Sequence, residues 1–425
     1  MSALVSFLDA TPRYLGLLRS QHWSAARLQA YREQHLAATL SAAARIPFYA
    51  DRFGSKARLE DFAQLPFLSR SDIRMLTDSS IALWPRGTQF ARGISSGTTG
   101  ARAEFLFDRR HQRGRFAARA RYLRAGGWNP VERSVWLVGE GFLTAHRAGY
   151  EDPELVSRIL LGVRFLSFST DLSKLARDIA EIDPRFIYAY PSVLDGLLRM
   201  FESAKLRLPS LRRIFSGAEV LEDSLRDRTR HQLGVEISLN YGSTEAFLAW
   251  QCPAGSYHQN AEHVLIELVD EAGRAVPAGQ IGRVLVTTLE NYLMPLVRYE
   301  IGDYAIAVDG ACSCGRTLPL MGRVVGRGMN LFRGIDGKLL ATWDLVNVLS
   351  HAAEIEKFQI VQKTLDRVVI KYVAENSLAP AIENEVRAGL MRHLDPRIAI
   401  EFERVDDLAR TPAGKFMLTL SEVPA

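Results

Sequence analysis

Hydrophobic and polar positions divide the chain into stretches of different period. Over roughly the first 90 residues the period is helical. In AARLQAYREQHLAATLSAAARI, for example, Leu28, Tyr31, His35, Leu36 and Leu40 fall near one face. The proline-interrupted IPFYADRF and LPFLSRSDIR read as connections. GISSGTTGARAEF, starting at Gly93, places three glycines and four hydroxyl residues in its first eight positions and follows neither a helical nor a strand period. A helix is predicted next, from about Arg109 to Ala125.

Short apolar runs then alternate with helical segments. SVWLV (Ser134–Val138), RFIYAY (Arg185–Tyr190), RRIFSG (Arg212–Gly217) and VEISLNYG (Val235–Gly242) read as buried strands, and PSVLDGLLRMFESAKL and EDSLRDRTRHQL as helices between them. This rhythm predicts an α/β domain with largely parallel strands. From His263 it changes: HVLIELVDEAGRAVP, GRVLVTTL and DYAIAV follow one another without a helix, as an antiparallel β-subdomain would. The tail offers a helix near WDLVNVLSHAAEI, the hairpin FQIVQKTLDRVVIKYVA, the helix AIENEVRAGLMRHL and the strand RIAIEFERV. The Gly/Arg-rich GRVVGRGMNLFRGIDGK suits a linker. The expected organisation is therefore a large domain over 1–326, with mixed α/β sheets plus a β-subdomain, and a small C-terminal α+β domain over 327–425.

Composition adds boundaries. The 425 residues exceed what one core fills. A hydrophobic fraction of 47% and a charged fraction of 24% exclude disorder over most of the chain. The net charge is +5, but its basic residues are spread out. The densest cluster, DRRHQRGRFAARARYLRA (Asp108–Ala125), surrounds a helix and reads as a solvated helix rather than a nucleic-acid stripe. No apolar run reaches the ~18–20 residues of a membrane span. The N-terminus lacks the basic and apolar regions of a signal peptide, and three cysteines make no disulfide framework. A cytoplasmic protein with neither nucleic-acid nor membrane partner is expected.

Several segments carry candidate chemistry. In SSGTTG (Ser95, Ser96, Gly97, Thr98, Thr99, Gly100), glycines let backbone N–H groups converge and hydroxyls add donors, which makes a nest for a polyanion. A polar surface loop is the competing reading. No lysine follows the last glycine, so this is not the Walker pattern. YGSTE (Tyr241, Gly242, Ser243, Thr244, Glu245) lies where a buried strand ends and a helix could begin, a position that faces the ligand crevice of open α/β sheets. Its aromatic ring could stack a base, its glycine approach a phosphate, and its hydroxyl and carboxylate hold Mg²⁺. FSGAE (with Ser216, Gly217, Ala218 and Glu219) follows another strand in the same way. RYEIGD ends in Asp303, an acceptor for ribose hydroxyls, and RTPAGKF sets Lys415 on a glycine-containing turn.

These segments, in this order, resemble the adenylate-forming superfamily, and within it the phenylacetate–coenzyme A ligase-like family. The likeness runs from IPFYADRF through SSGTTG, FSGAE, YGSTE, VTTLENYLMPLVRYEIGD and CSCGRTLP to RTPAGK. Each piece alone is weak; the ordered set is specific. The resemblance implies ATP-dependent activation of a small, aryl or related carboxylic acid as acyl-adenylate, followed by transfer to coenzyme A. The alternative is transfer to an amine or to a carrier-protein thiol. It implies that Ser95–Gly100 hold the β- and γ-phosphates and that Tyr241 stacks on adenine, with Glu219 and its neighbours lining the base pocket. Thr244 would bond the α-phosphate, Glu245 carry Mg²⁺, Asp303 and Arg327 grip the ribose, and Lys415 ride into the site on a mobile small domain. Glu140 and Phe142, in GEGFLTAHRAGY, would line the acid pocket; a Glu140 solvated at a strand end is the alternative. One departure concerns the linker: many relatives carry paired aspartates after its GR, where this chain has GRGMN with Met329 and Asn330.

The three cysteines fall in two places, QCPAGSYH and ACSCG. Cys252, His258, Cys312 and Cys314 together make a Cys₃His composition, suited to a structural zinc; three buried free thiols are the alternative. The sequence does not fix the oligomeric state, and a homodimer is compatible with it.

Overall fold

The computed structural model describes residues 3–53, 58–85, 87–95, 103–139, 162–327, 331–352, 354–408 and 418–423. Four helices open the chain: α1 (Ala3–Ser20), α2 (Ala25–Ala43), α3 (Pro47–Phe53) and α4 (Ile73–Leu83). The segment IPFYADRF is thus helical, with Pro47 in the first turn, where its missing N–H costs nothing. Strands β1 (Ala91–Ser95) and β2 (Ala103–Phe107) pair antiparallel. The glycine- and hydroxyl-rich stretch is therefore flanked by a hairpin, and Phe105 within it is buried. Helix α5 (Arg109–Ala125) matches its expected bounds; Asp108 caps it by accepting from the His111 N–H at 2.8 Å.

The α/β rhythm follows. Strands β3 (Ser134–Val138), β4 (Val163–Ser167), β5 (Phe186–Tyr188), β6 (Arg213–Gly217) and β7 (Glu236–Gly242) are mutually parallel. They alternate with α6 (Leu172–Ile182), α7 (Pro191–Ser203) and α8 (Asp223–Leu233). Helix α7 starts on Pro191 and buries Leu194, Leu197, Leu198 and Phe201, the spacing of one helical face. Each such side chain contributes about 2 kcal/mol relative to exposure. Strands β8 (Phe247–Gln251) and β9 (Tyr257–Gln259) then turn antiparallel, and the sheet reads β13-β9-β8-β7-β6-β5-β3-β4. YGSTE accordingly ends β7 in a hairpin into β8, not in a helix. The Ser243 N–H donates to the Ala246 carbonyl at 2.9 Å, and Gly242 pairs with Phe247.

The expected β-subdomain is the antiparallel sheet β10 (Val264–Val269), β11 (Ile281–Thr288), β12 (Tyr299–Ile306), β14 (Val324–Arg327); β13 (Leu320–Met321) returns to the larger sheet. The tail comprises β15 (Phe332–Arg333), β16 (Leu339–Leu340), α9 (Trp343–Ser350), β17 (Lys357–Thr364), β18 (Arg367–Val373), α10 (Pro380–Met391), β19 (Ala399–Arg404) and β20 (Thr419–Ser421), around its own apolar core of Phe332, Leu345, Ile360, Ile370 and Ile400. It docks on the larger part through polar contacts. Asp223 accepts from Trp343 Nε1 (2.9 Å), Asn347 Nδ2 (3.2 Å) and the Arg323 guanidinium (2.8 Å), and Arg323 lies 3.8 Å from the Trp343 ring centre. Among the described residues no helix is long and apolar enough to cross a membrane.

Helix α5 is not the solvated helix its charge suggests. His111, Gly114, Ala117, Ala118, Arg121, Tyr122 and Leu123 are buried. Arg121 forms a bidentate pair with Glu262, at 2.7 and 3.0 Å, and donates to Asn260 Oδ1 at 2.7 Å; its side chain is 0% exposed and that of Glu262 1%. Burial pushes the Glu262 pKa up, but the Arg121 charge and its hydrogen bonds outweigh this and hold it below 4.5. The pair therefore stabilises the fold above that pH, and the contribution is lost as pH falls through the lowered value. Arg121→Met leaves a buried carboxylate unpaired and should cost about 3–5 kcal/mol in denaturant unfolding, most of it regained on adding Glu262→Leu. No loss in the single variant would refute this account.

Candidate active site

The carboxyl ends of the parallel strands gather the predicted residues. Tyr241, near the end of β7, donates its hydroxyl to Asp303 Oδ2 of β12 at 2.9 Å. Asp303 pairs across the β12–β14 ladder with Arg327, whose Nε lies 3.4 Å from Oδ1. Burial raises the Asp303 pKa, opposed by the Arg327 charge and the Tyr241 hydroxyl. Burial likewise drives the Tyr241 phenol well up, so it stays a donor. Glu245 is buried and within electrostatic reach of Asp303.

The hairpin turn carrying Thr244 and Glu245 is held from below. His111 Nε2 lies 2.9 Å from the Glu245 carbonyl oxygen. Burial, then the neighbouring His263, keeps the His111 pKa far below the usual range, so the ring is neutral and Nε2 donates. His111 is stacked at 5.0 Å on Phe107. The Phe107 ring and the Thr244 methyl both press on Gly93 of β1, where an added Cβ would come within 2.7 Å of each. Glycine there is what lets β1 lie against the turn. At the end of β1, Ser95 Oγ accepts from Arg70 at 2.7 Å, and Arg70 with Glu245 lies beside the Tyr299 hydroxyl. Arg70, His111 and Tyr299 did not emerge from the sequence as single residues. The spacing His111, Gly114, Ala118, Arg121 was the available signal that α5 packs on one face.

After β6, Ser216 Oγ donates to the Ala189 carbonyl at 2.7 Å, and Gly217 sits against Asn240. Ala218 adopts φ 67°, a left-handed conformation costly for a residue with a Cβ and typical of ligand sites. The Glu219 carboxylate takes the Ser192 N–H (2.9 Å) and hydroxyl (3.0 Å), which caps α7. Its side chain is thus committed to the fold, as is the backbone of Ser216 and Gly217, which pairs with β7. Ser96, Gly97, Thr98, Thr99, Gly100, Glu140, Phe142, Met329, Asn330 and Lys415 lie outside the described residues.

The cysteine set converges. The ligand atoms of Cys252, His258, Cys312 and Cys314 all lie within 4.8 Å of one another. Cys252 Sγ is 3.6 Å from Cys312 Sγ, too far for a disulfide, and Cys314 Sγ is 3.3 Å from His258 Nε2. Zn–S bonds of about 2.3 Å and a Zn–N bond of about 2.0 Å at tetrahedral angles require separations near 3.8 and 3.5 Å. The donors fit that ion closely. They join the end of β8, strand β9 and the β12–β13 connection, bridging the two sheets rather than lying within the β-subdomain.

A nest-flanking hairpin, a buried carboxylate on a strand-end turn and a Tyr–Asp–Arg row across two sheets define an adenylate-forming enzyme. The comparisons agree. The family profile described as AMP-binding enzyme matches residues 154–293, and that of the CapK C-terminal domain matches 333–422. Phenylacetate–coenzyme A ligase of Thermus thermophilus is 27% identical over 85% of this chain and 84% of its own length. Protein CapK of Staphylococcus aureus is 20% identical over 87% of this chain and 82% of its own. A 2-hydroxyisobutyryl-CoA ligase in the postadenylation state superposes with a TM-score of 0.75 at 18% identity, over 95% of this chain and 91% of that one. Residues 154–293 thus carry the AMP-binding enzyme profile, and the chain is similar over most of its length to phenylacetate–coenzyme A ligases.

Asp303 has a measurable signature. With its pKa above 3.8, folding disfavours its charged form, so the ligand-free protein loses stability as pH rises through that raised value and does not regain it toward pH 7. Asp303→Asn should therefore raise the melting temperature near pH 7 and flatten its pH dependence; a lowered melting temperature would contradict this.

Proposed function

We propose that the protein condenses a small carboxylic acid, aryl or related, with ATP to an acyl-adenylate and then passes the acyl group to coenzyme A. The observation that carries this reading is the bonded row Tyr241–Asp303–Arg327 beside Glu245, from segments far apart in the chain. In the first step a carboxylate oxygen attacks the α-phosphorus, and the bond to pyrophosphate breaks. In the second, the coenzyme A sulfur attacks the acyl carbon, AMP leaves with the carboxyl oxygen, and the thiol proton passes to solvent.

Tyr241 offers its ring face to adenine while its hydroxyl is held by Asp303, and Asp303 with Arg327 takes the ribose hydroxyls. Ser216, Gly217, Ala218 and the Glu219 backbone line the base, with Gly242 and Ser243 leaving room for the phosphates. Thr244 donates to the α-phosphate. Ser95 with Ser96, Gly97, Thr98, Thr99 and Gly100 cradles the β- and γ-phosphates. The oxygen donors of Glu245 and Thr244 suit Mg²⁺, which when bound neutralises phosphate charge. Glu140 and Phe142 line the acid. Lys415, carried by a small domain beginning at 327, reaches the reacting oxygens and stabilises charge that develops there. The polar latch on Asp223 is the kind of contact such a domain can release, since it involves no large apolar face. The Cys₃His set holds a structural zinc, and the protein works in the cytoplasm.

Lys415→Ala should lower adenylation, read as pyrophosphate release over a panel of acids, by about 10²–10³-fold. Unchanged turnover defeats the mechanism. Product mass analysis with coenzyme A and with amines assigns the acceptor, and amide without any thioester removes the coenzyme A reading.

Elemental analysis should find one zinc per chain, lost in Cys314→Ser. Cys252 lies seven residues beyond Glu245, about 20 Å along β8. Chelation should therefore lower the melting temperature while leaving adenylation by the still-folded protein near its starting rate. Metal-free protein of equal stability would remove the zinc.

A further inference from the structure

Helix α5 contains seven arginines and no acidic residue, so any counter-charge must come from elsewhere. Arg109 and Arg113 share Asp9, and Arg121 holds Glu262. Among the described residues the other four have no carboxylate partner: Arg110 and Arg124 are exposed, and Arg115 and Arg119, one turn apart, also lack a hydrogen bond and lie beside the strand ends. The Arg115 guanidinium lies over the Phe107 ring, 5.1 Å from its centre, within electrostatic reach of Glu245. Arg119 lies over Tyr188, 5.7 Å from the ring centre, at the carboxyl end of β5, and within reach of Tyr190. Burial, then the Arg119 charge, pulls the Arg115 pKa down to about 10, so it remains a cation at neutral pH. A ring face offsets about 0.5–2 kcal/mol of the cost of burying Arg115, less than a desolvated ion needs, while Arg119 is exposed and open to a ligand.

The position of the pair tells what it awaits. The nucleotide groups Tyr241 and Asp303 sit over β7 and β12, and the sheet continues from β7 through β6 to β5. Arg115, next to the Thr244–Glu245 turn, belongs with the reacting carboxylate and the phosphates. Arg119 is one turn farther along α5, toward Tyr188, Tyr190 and Phe168, the side to which the adenylation reading assigns the acyl chain. Phosphates already served at Thr244 do not account for it.

We propose that Arg119, with Arg115 behind it, receives a second anionic group on the acid, so that the preferred substrate is a dicarboxylic acid whose carboxylates lie at least ~6 Å apart, one helical turn. The substrate class rests on the adenylation reading. The subsite itself can be tested without it. A bidentate guanidinium–carboxylate contact rejects the analogue that lacks the second carboxylate, because the cation then stays unpaired.

The experiment compares two pairs: adipate with hexanoate, and 4-carboxyphenylacetate with phenylacetate. ATP–pyrophosphate exchange should favour the diacid of each pair at least tenfold in kcat/KM. Arg119→Gln should reduce that selectivity ratio about ten- to a hundredfold, with the KM for ATP held within twofold, and Arg119→Lys should fall between. Preference for the monoacids overturns the proposal. So does a ratio unchanged by Arg119→Gln, or an equal loss on both acids with a raised KM for ATP, which marks a phosphate contact. If no acid supports exchange, the adenylation reading fails on its own. Calorimetric titration of the full-length protein with adipate and 4-carboxyphenylacetate then decides the subsite: binding lost in Arg119→Gln supports it, and no binding to wild type overturns it.

Discussion

The hydrogen bond from Tyr241 to Asp303 joins two sheets that share an apolar core, in which Leu248 and Ala249 of β8 meet Ile266, Val286 and Tyr299 of the smaller sheet. Tyr241 stands at the end of β7, where the large sheet passes from parallel to antiparallel pairing, and Asp303 stands in the middle of β12 in the smaller one. Both groups are buried, so neither keeps water in place of the other. The bond therefore requires a fixed register. Gly302, at φ 87°, adopts a conformation that a residue with a Cβ avoids, and the β12–β14 ladder slips by a residue at Tyr304/Ala305. A further slip of one residue would turn Asp303 to the opposite face and leave Tyr241 and Arg327 without it. Backbone irregularity in the small sheet thus sets side-chain chemistry at the mouth of the large one.

How far the sequence foretold this depended on the range of the interactions involved. Strands β5, β6 and β7 are buried on both faces, so they read as apolar runs, and α7 and α8 announce themselves by helical spacing. Strands β9 and β13 are three and two residues long and owe their existence to pairing, β9 with β8 and β13 with β9, which no local period shows. YGSTE looked like a strand-to-helix junction because glycine and hydroxyls serve both turns and helix caps; what decides for the hairpin is the pairing of β7 with Phe247–Gln251. Helix α5 was misread because arginine count outweighed spacing. Its Arg121 is buried only because Glu262, 141 residues on, supplies the partner. The chemical types at Tyr241, Glu245 and Asp303 were visible in sequence. Their bonding to one another was not.

The same turn shows how the fold shields a reactive group from its own flexibility. Glu245 sits between a glycine-containing strand end and a short turn, neither rigid by composition. His111 fixes its carbonyl from beneath, Phe107 packs against Thr244 through Gly93, and β8 leads away to Cys252. If the Cys₃His set binds zinc, β8 is tethered at both ends, by hydrogen bonding at the Glu245 end and by metal at the other. The tether also reaches the N-terminal helices, because the loop carrying Cys312 and Cys314 continues into Arg316 and Thr317, which bond Gln21.

Helix α5 shows why such an arrangement is kept despite its cost. A helix of seventeen residues with many arginines and no acids repels itself along its length. The fold answers this at three positions, Arg109, Arg113 and Arg121, with carboxylates from α1 and from the chain just before β10. Among the described residues no carboxylate answers it at Arg110 and Arg124, which are exposed, or at Arg115 and Arg119, which lie over the rings of Phe107 and Tyr188. Acidic partners there would stabilise the empty protein but would also compete with any anionic ligand. Aromatic faces hold the cations in place without neutralising them. Carboxylates balance the charge where α5 meets α1 and the chain before β10, and at Arg115 and Arg119 a bound ligand can supply the counter-charge.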